Sequence, residues 1–273
     1  MKFIKPDAIK EYNLSPEVLA DGADFALIHS SLWKAEDGAH KSACWSECME
    51  PPDIVKAVRE GQAPTVLQSE PKDFEDDVRS WVRLRRQQEE YFQNPLQVLL
   101  SKGMGYQRVI VGDIAHKEQA RAKIEAFAAQ NGNQGCVEST IALFEEMFMN
   151  AMIDAPREAQ RMGIDRPAEC VFHMAVDGRR LGLACEDPFG SLDISKVLTR
   201  MQDVYSRGAG QAINLREPGG AGLGCVLMLE HASLLAFGVE KARKTIVSSL
   251  VYRNLSFKRK AELKKSLHLI TAE

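Results

Sequence analysis

Short apolar runs bounded by polar and turn residues pace the first third of the chain. The stretches DFALIHSSLW (24–33) and APTVLQS (63–69) each hold an apolar run of the length a buried strand needs. Between them PPDIVKAVREG (51–61) reads as a helix, with Pro51 and Pro52 at a start that tolerates a missing N–H and Gly61 at its end. The segment 73–92, DFEDDVRSWVRLRRQQEEYF, is expected to continue as helix, acids early and arginines late, as the helix dipole favours. QRVIVGD (107–113) then predicts another strand.

From residue 117 the pattern lengthens. A helix to about 130 stops at NGNQG (131–135), and a second spans 137–163, where Pro156 should kink or break it. VFHMAV (171–176), Asp177-Gly178 and RRLGLACED (179–187) give the strongest hairpin signal in the chain. LDISKVLTRMQDVY (192–205) returns to helix, 206–220 reads as loop, and AGLGCVLMLEHASLL (221–235) is helix again. AFGVE (236–240) and TIVSSLVY (245–252), joined by KARK, make a second hairpin. This succession predicts helices layered on one face of a largely antiparallel sheet. The expected class is therefore α/β: a small N-terminal α/β module over 1–104, a two-layer sandwich over 105–255, and a basic C-terminal helix over 256–273.

At 273 residues the chain has room for two modest cores, and 45% apolar with 27% charged residues is ordinary for a globular protein. No apolar run reaches the length of a membrane span, and MKFIKPDAIKEYNL has no apolar stretch followed by a small-residue cleavage site, so a cytoplasmic location is expected. A net charge of −3 argues against a nucleic-acid partner, although residues 251–273 carry six basic and two acidic side chains, a face suited to solvent or docking. The six cysteines are spread out and are expected as free thiols; HKSACWSEC (40–48) fits no common zinc spacing.

Candidate chemistry gathers in the second half. Glu146 and Asn150 are four apart on the long helix and project from one face, with Asp154 a turn further, while Phe144, Phe148, Ala151 and Ala155 can pack against a sheet. Asp187 ends a hairpin strand, where a carboxylate can accept a hydrogen bond from the exocyclic amine of a base. GGAGLG (219–224) opens a helix whose free N–H groups and dipole favour a phosphate.

In this order and spacing, EMFMNA (146–151), DPFGSLD (187–193) and GAGLG (220–224) resemble the three boxes of the GHKL ATPase superfamily, which holds gyrase, a heat-shock chaperone, histidine kinases and mismatch-repair ATPases. The likeness covers roughly 105–252. DPFGSLD, ending in Ser-hydrophobic-Asp, is similar to the anti-sigma-factor serine kinases more than to histidine kinases. The resemblance implies a Bergerat-type sandwich binding ATP or ADP with Mg, and a lid at 191–218. By position, Glu146 matches the family's water-activating or proton-accepting carboxylate, Asn150 its magnesium holder and Asp187 its adenine reader. Gly220, Gly222, Leu223 and Gly224 match the phosphate loop, Gly190 falls within the base-reading box, and Thr245 matches the hydroxyl that supports Asp187.

Two departures stand out. Phe189 replaces the glycine of Asp-x-Gly, so a large side chain is expected to obstruct the base, and Ile153-Asp154 stands where the family offers a Lys or His. Compensating cations would come from Arg200, Arg207 or Arg216. His116, beside a lysine at a helix start, reads as a solvated residue and not as a phosphoacceptor. The expected function is a bacterial-type signalling regulator whose degenerate ATPase-like domain serves mainly as a protein-interaction module, anti-sigma-like or pseudo-ATPase. The alternative is an active Mg-ATP-binding serine kinase-like regulator. A protein partner, itself a regulator or sigma-factor-like, and a homodimer are expected; a degenerate receiver-like role for 1–104 lacks the acidic cluster that such phosphorylation needs.

Overall fold

Ten strands of the computed structural model, which describes residues 1–5, 11–21, 24–32, 42–60, 63–100, 104–207, 221–254 and 262–272, join in a single sheet. They are β1 (Lys2–Ile4), β2 (Ala26–His29), β3 (Ser42–Trp45), β4 (Thr65–Leu67), β5 (Met104–Val111), β6 (Cys170–Val176), β7 (Arg180–Asp187), β8 (Leu234–Glu240), β9 (Lys244–Tyr252) and β10 (Ser266–Ala272). The order across the sheet is β1-β2-β3-β4-β10-β8-β9-β7-β6-β5. The first four are parallel. From β8 to β5 every neighbour is antiparallel, as the two hairpin signals require.

The helices are α1 (Pro16–Asp21), α2 (Pro51–Arg59), α3 (Phe74–Arg86), α4 (Gln88–Gln93), α5 (Pro95–Leu99), α6 (Lys117–Asn131), α7 (Gln134–Met149), α8 (Ala155–Arg161), α9 (Ile194–Arg207) and α10 (Ala221–His231). Strand period 2 sorts β7 between two layers. Leu181, Leu183 and Cys185 face the core under α7, α9 and α10, while Ala184 faces the core under α4 and α5. The second layer comes close because Gly238 of β8 has no side chain: a Cβ there would sit 2.4 Å from Tyr91 Cε1. Tyr91 is fully buried, with its hydroxyl 3.0 Å from Ser248 Oγ.

The basic C-terminal helix expected over 256–273 is corrected over 266–272, which form β10, wedged between β4 (antiparallel) and β8 (parallel). A central strand is buried on both faces, and the apolar Leu267 and Ile270 meet that demand where the flanking charge does not. Lys265, just before the strand, is itself buried: its Nζ donates to Leu229 O and Glu230 O at the end of α10, with Glu230 Oε2 at 3.4 Å.

The pairing also changes the expected division into two modest cores. Ile54, Val55 and Val58 of α2 lie in the same core as Phe144, Phe148, Leu183 and Met201. A separate aromatic core of Tyr12, Trp45, Phe74 and Trp81 belongs to the N-terminal part alone. Among the described residues, no helix is long and apolar enough to cross a membrane.

Candidate functional site

A cleft of about 730 Å³ opens over β7 and β9, walled by the α7–α8 helical run, α9 and α10. Its volume lies in the range of small-molecule sites. Asn150, Asp154, Asp187 and Thr245 all line it, so the structure gathers residues spread over almost a hundred positions.

On the floor, Asp187 is the last residue of β7 and pairs in register with Thr245 of β9. Its carboxyl is 6% exposed and accepts from Phe189 N at 3.0 Å. Burial pushes it up to about 7, against the lowering pull of Phe189, Thr245 and Gly190 nearby. Thr245 Oγ1, also buried, makes no hydrogen bond of normal geometry although it is close enough to Asp187 to favour the carboxylate. A buried carboxyl beside a buried hydroxyl at the bottom of the cleft is a place for a polar ligand edge.

Phe189 of the DPFG box is 1% exposed and is not among the residues that line the cleft. Gly190 does not line the cleft either. Its φ of +59° and the approach of Glu240 O, 2.1 Å from where a Cβ would stand, demand glycine for the backbone path. Ala242 N donates to Gly190 O at 3.1 Å, docking this turn on the β8–β9 connection.

The helical wall breaks where Pro156 predicts. Asn150–Asp154 form a π turn, closed by Ala155 N–H on Asn150 O, before α8 resumes with proline in its first turn. Widening relieves the clash of the proline ring with the preceding turn and places Asn150 and Asp154 on the cleft. Burial raises the Asp154 carboxyl, partly offset by Arg157 and Arg200.

Glu146 is half-buried and stands behind the lining. A Cβ on Gly224 would lie 2.3 Å from its Oε2, so the acid of the first box and the last glycine of the third touch, and glycine is what admits the carboxylate. Burial and the charges of Glu145 and Asp154 raise the Glu146 carboxyl. Gly222 and Leu223 lie in α10, Leu223 packed on the core; Gly220 falls outside the described residues.

The segment expected as lid is corrected over its first half. Val197, Leu198, Met201 and Val204 of α9 are core residues in contact with α2 and α10, so 194–207 is a packed helix; 208–218 falls outside the described residues. Of the compensating cations, Arg200 lines the cleft. Arg207 does not, and is exposed beside Asp203 at 4.0 Å; Arg216 lies outside the described residues. Lys196 and Arg161 line the cleft too and were not singled out, although Lys196, one turn before Arg200, shares its helix face by spacing alone.

The remaining candidates disperse. Cys44 is buried in β3 and Cys48 is exposed, His40 lies outside the described residues, and among the described residues no His, Cys, Asp and Glu cluster could hold a metal. His116 is an exposed residue at the start of α6. Asn150 and Asp154 both line the cleft, where their side-chain oxygens could meet a cation brought in by a ligand. Compared with known proteins, the chain matches no protein-family model and no curated protein, so the likeness of its three boxes rests on their own residues.

Proposed function

We propose that the cleft binds an adenine nucleotide with magnesium and that the chain is a signalling regulator of the GHKL type. The observation that carries this reading is the pair Asp187 and Thr245, a buried carboxyl and a buried hydroxyl side by side on the floor of the cleft. Asp187 would accept from the exocyclic amine of the base. Asn150, with Asp154 a turn away, would hold the metal, while Arg200 and Lys196 of the cleft lining and the glycine-opened start of α10 would face the phosphates. The nucleotide would supply an activated phosphoryl group; Glu146, its carboxyl raised by burial beside Gly224, would hold a proton.

A second reading keeps the fold as a protein-interaction module that has lost the nucleotide, anti-sigma-like or pseudo-ATPase. Its support is charge: Asp154, Glu158, Asp193 and Asp203 outnumber Arg161, Lys196 and Arg200 around the opening, which disfavours a polyphosphate unless metal accompanies it. A protein partner or second copy has a candidate surface in β5, the end strand of the sheet, where Ile110 is 64% exposed and Tyr106 44%.

Thermal unfolding separates the two. ADP or ATP at about a hundred times its dissociation constant should stabilise the fold by about 2.7 kcal/mol, a rise of a few degrees that requires magnesium. No rise with either nucleotide, with or without magnesium, would leave the interaction module standing.

A further inference from the structure

His29, Ser31 and Glu47 form a hydrogen-bonded relay that the nucleotide cleft does not use. Adjacent parallel strands β2 and β3 open their carboxyl ends on one edge of the sheet, the edge where parallel α/β sheets place ligands. His29 is the last residue of β2, Ser31 follows in a short 3-10 turn (Ser30–Leu32), and Glu47 lies just past the end of β3. Glu47 Oε2 is 2.6 Å from His29 Nε2, and Ser31 Oγ is 2.7 Å from His29 Nδ1.

The backbone settles the tautomer. Ser31 N–H donates to Nδ1 at 3.2 Å, so that nitrogen is an acceptor, and the ring proton resides on Nε2 and is donated to Glu47. The Ser31 hydroxyl donates into the same Nδ1 lone pair, which it shares with the backbone N–H as the shorter of the two contacts. His29 is 5% exposed and packs edge-on against Trp45, ring centroids 4.8 Å apart, which holds the imidazole in place. Burial alone would raise the Glu47 carboxyl, but its bond to His29 keeps it below its ordinary value and ionised. Ser31 itself is exposed.

An exposed hydroxyl on a base that is oriented by a carboxylate is the arrangement of nucleophilic catalysis. We propose that Ser31 is an activated nucleophile toward carboxylic esters, with His29 as general base and Glu47 as its orienting acid. Ser31 Oγ bonds to the ester carbonyl carbon as its proton passes to Nδ1; the carbon–alkoxy bond breaks and the alcohol leaves with that proton. Water, deprotonated by the same nitrogen, then cleaves the acyl-serine, releasing the carboxylic acid and restoring the Ser31 hydroxyl.

The test uses the full chain with two probes, a fluorophosphonate and p-nitrophenyl acetate. In the first, the Ser31 Oγ–phosphorus bond forms, fluoride leaves, and the adduct is located by peptide mass. The adduct should sit on Ser31, and Ser31→Ala, at an exposed position that keeps the thermal midpoint, should lose both the adduct and nitrophenol release. Glu47→Gln should slow both by about 10²-fold or more. An adduct elsewhere, wild-type rates in Ser31→Ala, or undiminished labelling in Glu47→Gln would each overturn the proposal.

Discussion

At the scale of single residues, Asp187 ties stability to pH. Its carboxyl has an ordinary value of 3.8 and lies at about 7 in the fold, so between these limits the folded chain holds a proton that the unfolded chain has released. Stability from this group is therefore fully present below about 4 and falls as pH rises to about 7, by up to ~4 kcal/mol once both states are ionised. Asp187→Asn buries no charge. It should flatten the slope of thermal midpoint against pH over that window and be the more stable form at pH 8. The same variant should bind no adenine nucleotide, because its amide oxygen takes the Phe189 N–H and turns an NH₂ toward the donor on the base. A pH slope unchanged in Asp187→Asn would mean that another group sets it.

At the scale of elements, the chain announced its hairpins and most of its helices because turn chemistry and apolar runs are local. Asp177-Gly178 and KARK sit between strands that pair as the pattern predicts, and Pro156 marks the break in the long helix. β10 was hidden because its partners are β4 and β8, far away in sequence, and because four of the six basic residues in 251–273 crowd positions 258–264 just before it. In the candidate site, Asn150 and Asp187 were legible as types at a spacing and Thr245 through the resemblance; that Phe189 would be buried outside the cleft lining was not, since a side chain's burial after a strand depends on what the next turn docks against. Gly224 gives a test at this scale. Alanine there would favour helix α10 by propensity, yet its Cβ falls on the flexible end of Glu146. Gly224→Ala should shift the thermal midpoint little, within about 1 kcal/mol, and displace Glu146, weakening whatever proton transfer that carboxylate serves more than it weakens nucleotide binding.

At the scale of the whole molecule, the two halves that the sequence separates are joined by one sheet, one main core and one buried charge cluster. Arg180 opens β7 and is 3% exposed; its guanidinium lies 2.5 Å from Asp77 Oδ1 on α3 and 3.9 Å from Asp177 Oδ2 in the hairpin turn. Arg179 beside it reaches Asp73, and Asp76 at 3.3 Å. Removing Arg180 takes the nearest guanidinium from the buried Asp77, which keeps Ser69 Oγ and Arg179, while Asp177 keeps the backbone N–H groups of residues 179 and 180, so Arg180→Ala should cost up to about 3 kcal/mol, beyond the effect of a surface pair. Because β10 stitches β4 to β8 and α2 packs against α9, this loss should lower one cooperative transition in which the N-terminal and C-terminal parts unfold together. Urea unfolding followed by tryptophan fluorescence, which reports only on the N-terminal part because all three tryptophans, Trp33, Trp45 and Trp81, lie there, and by far-UV circular dichroism, which reports on the whole, should give coincident curves before and after the substitution. If the two probes separated in Arg180→Ala alone, the charge cluster would be the joint between the halves; if they separated in the wild type, the shared sheet would not couple them.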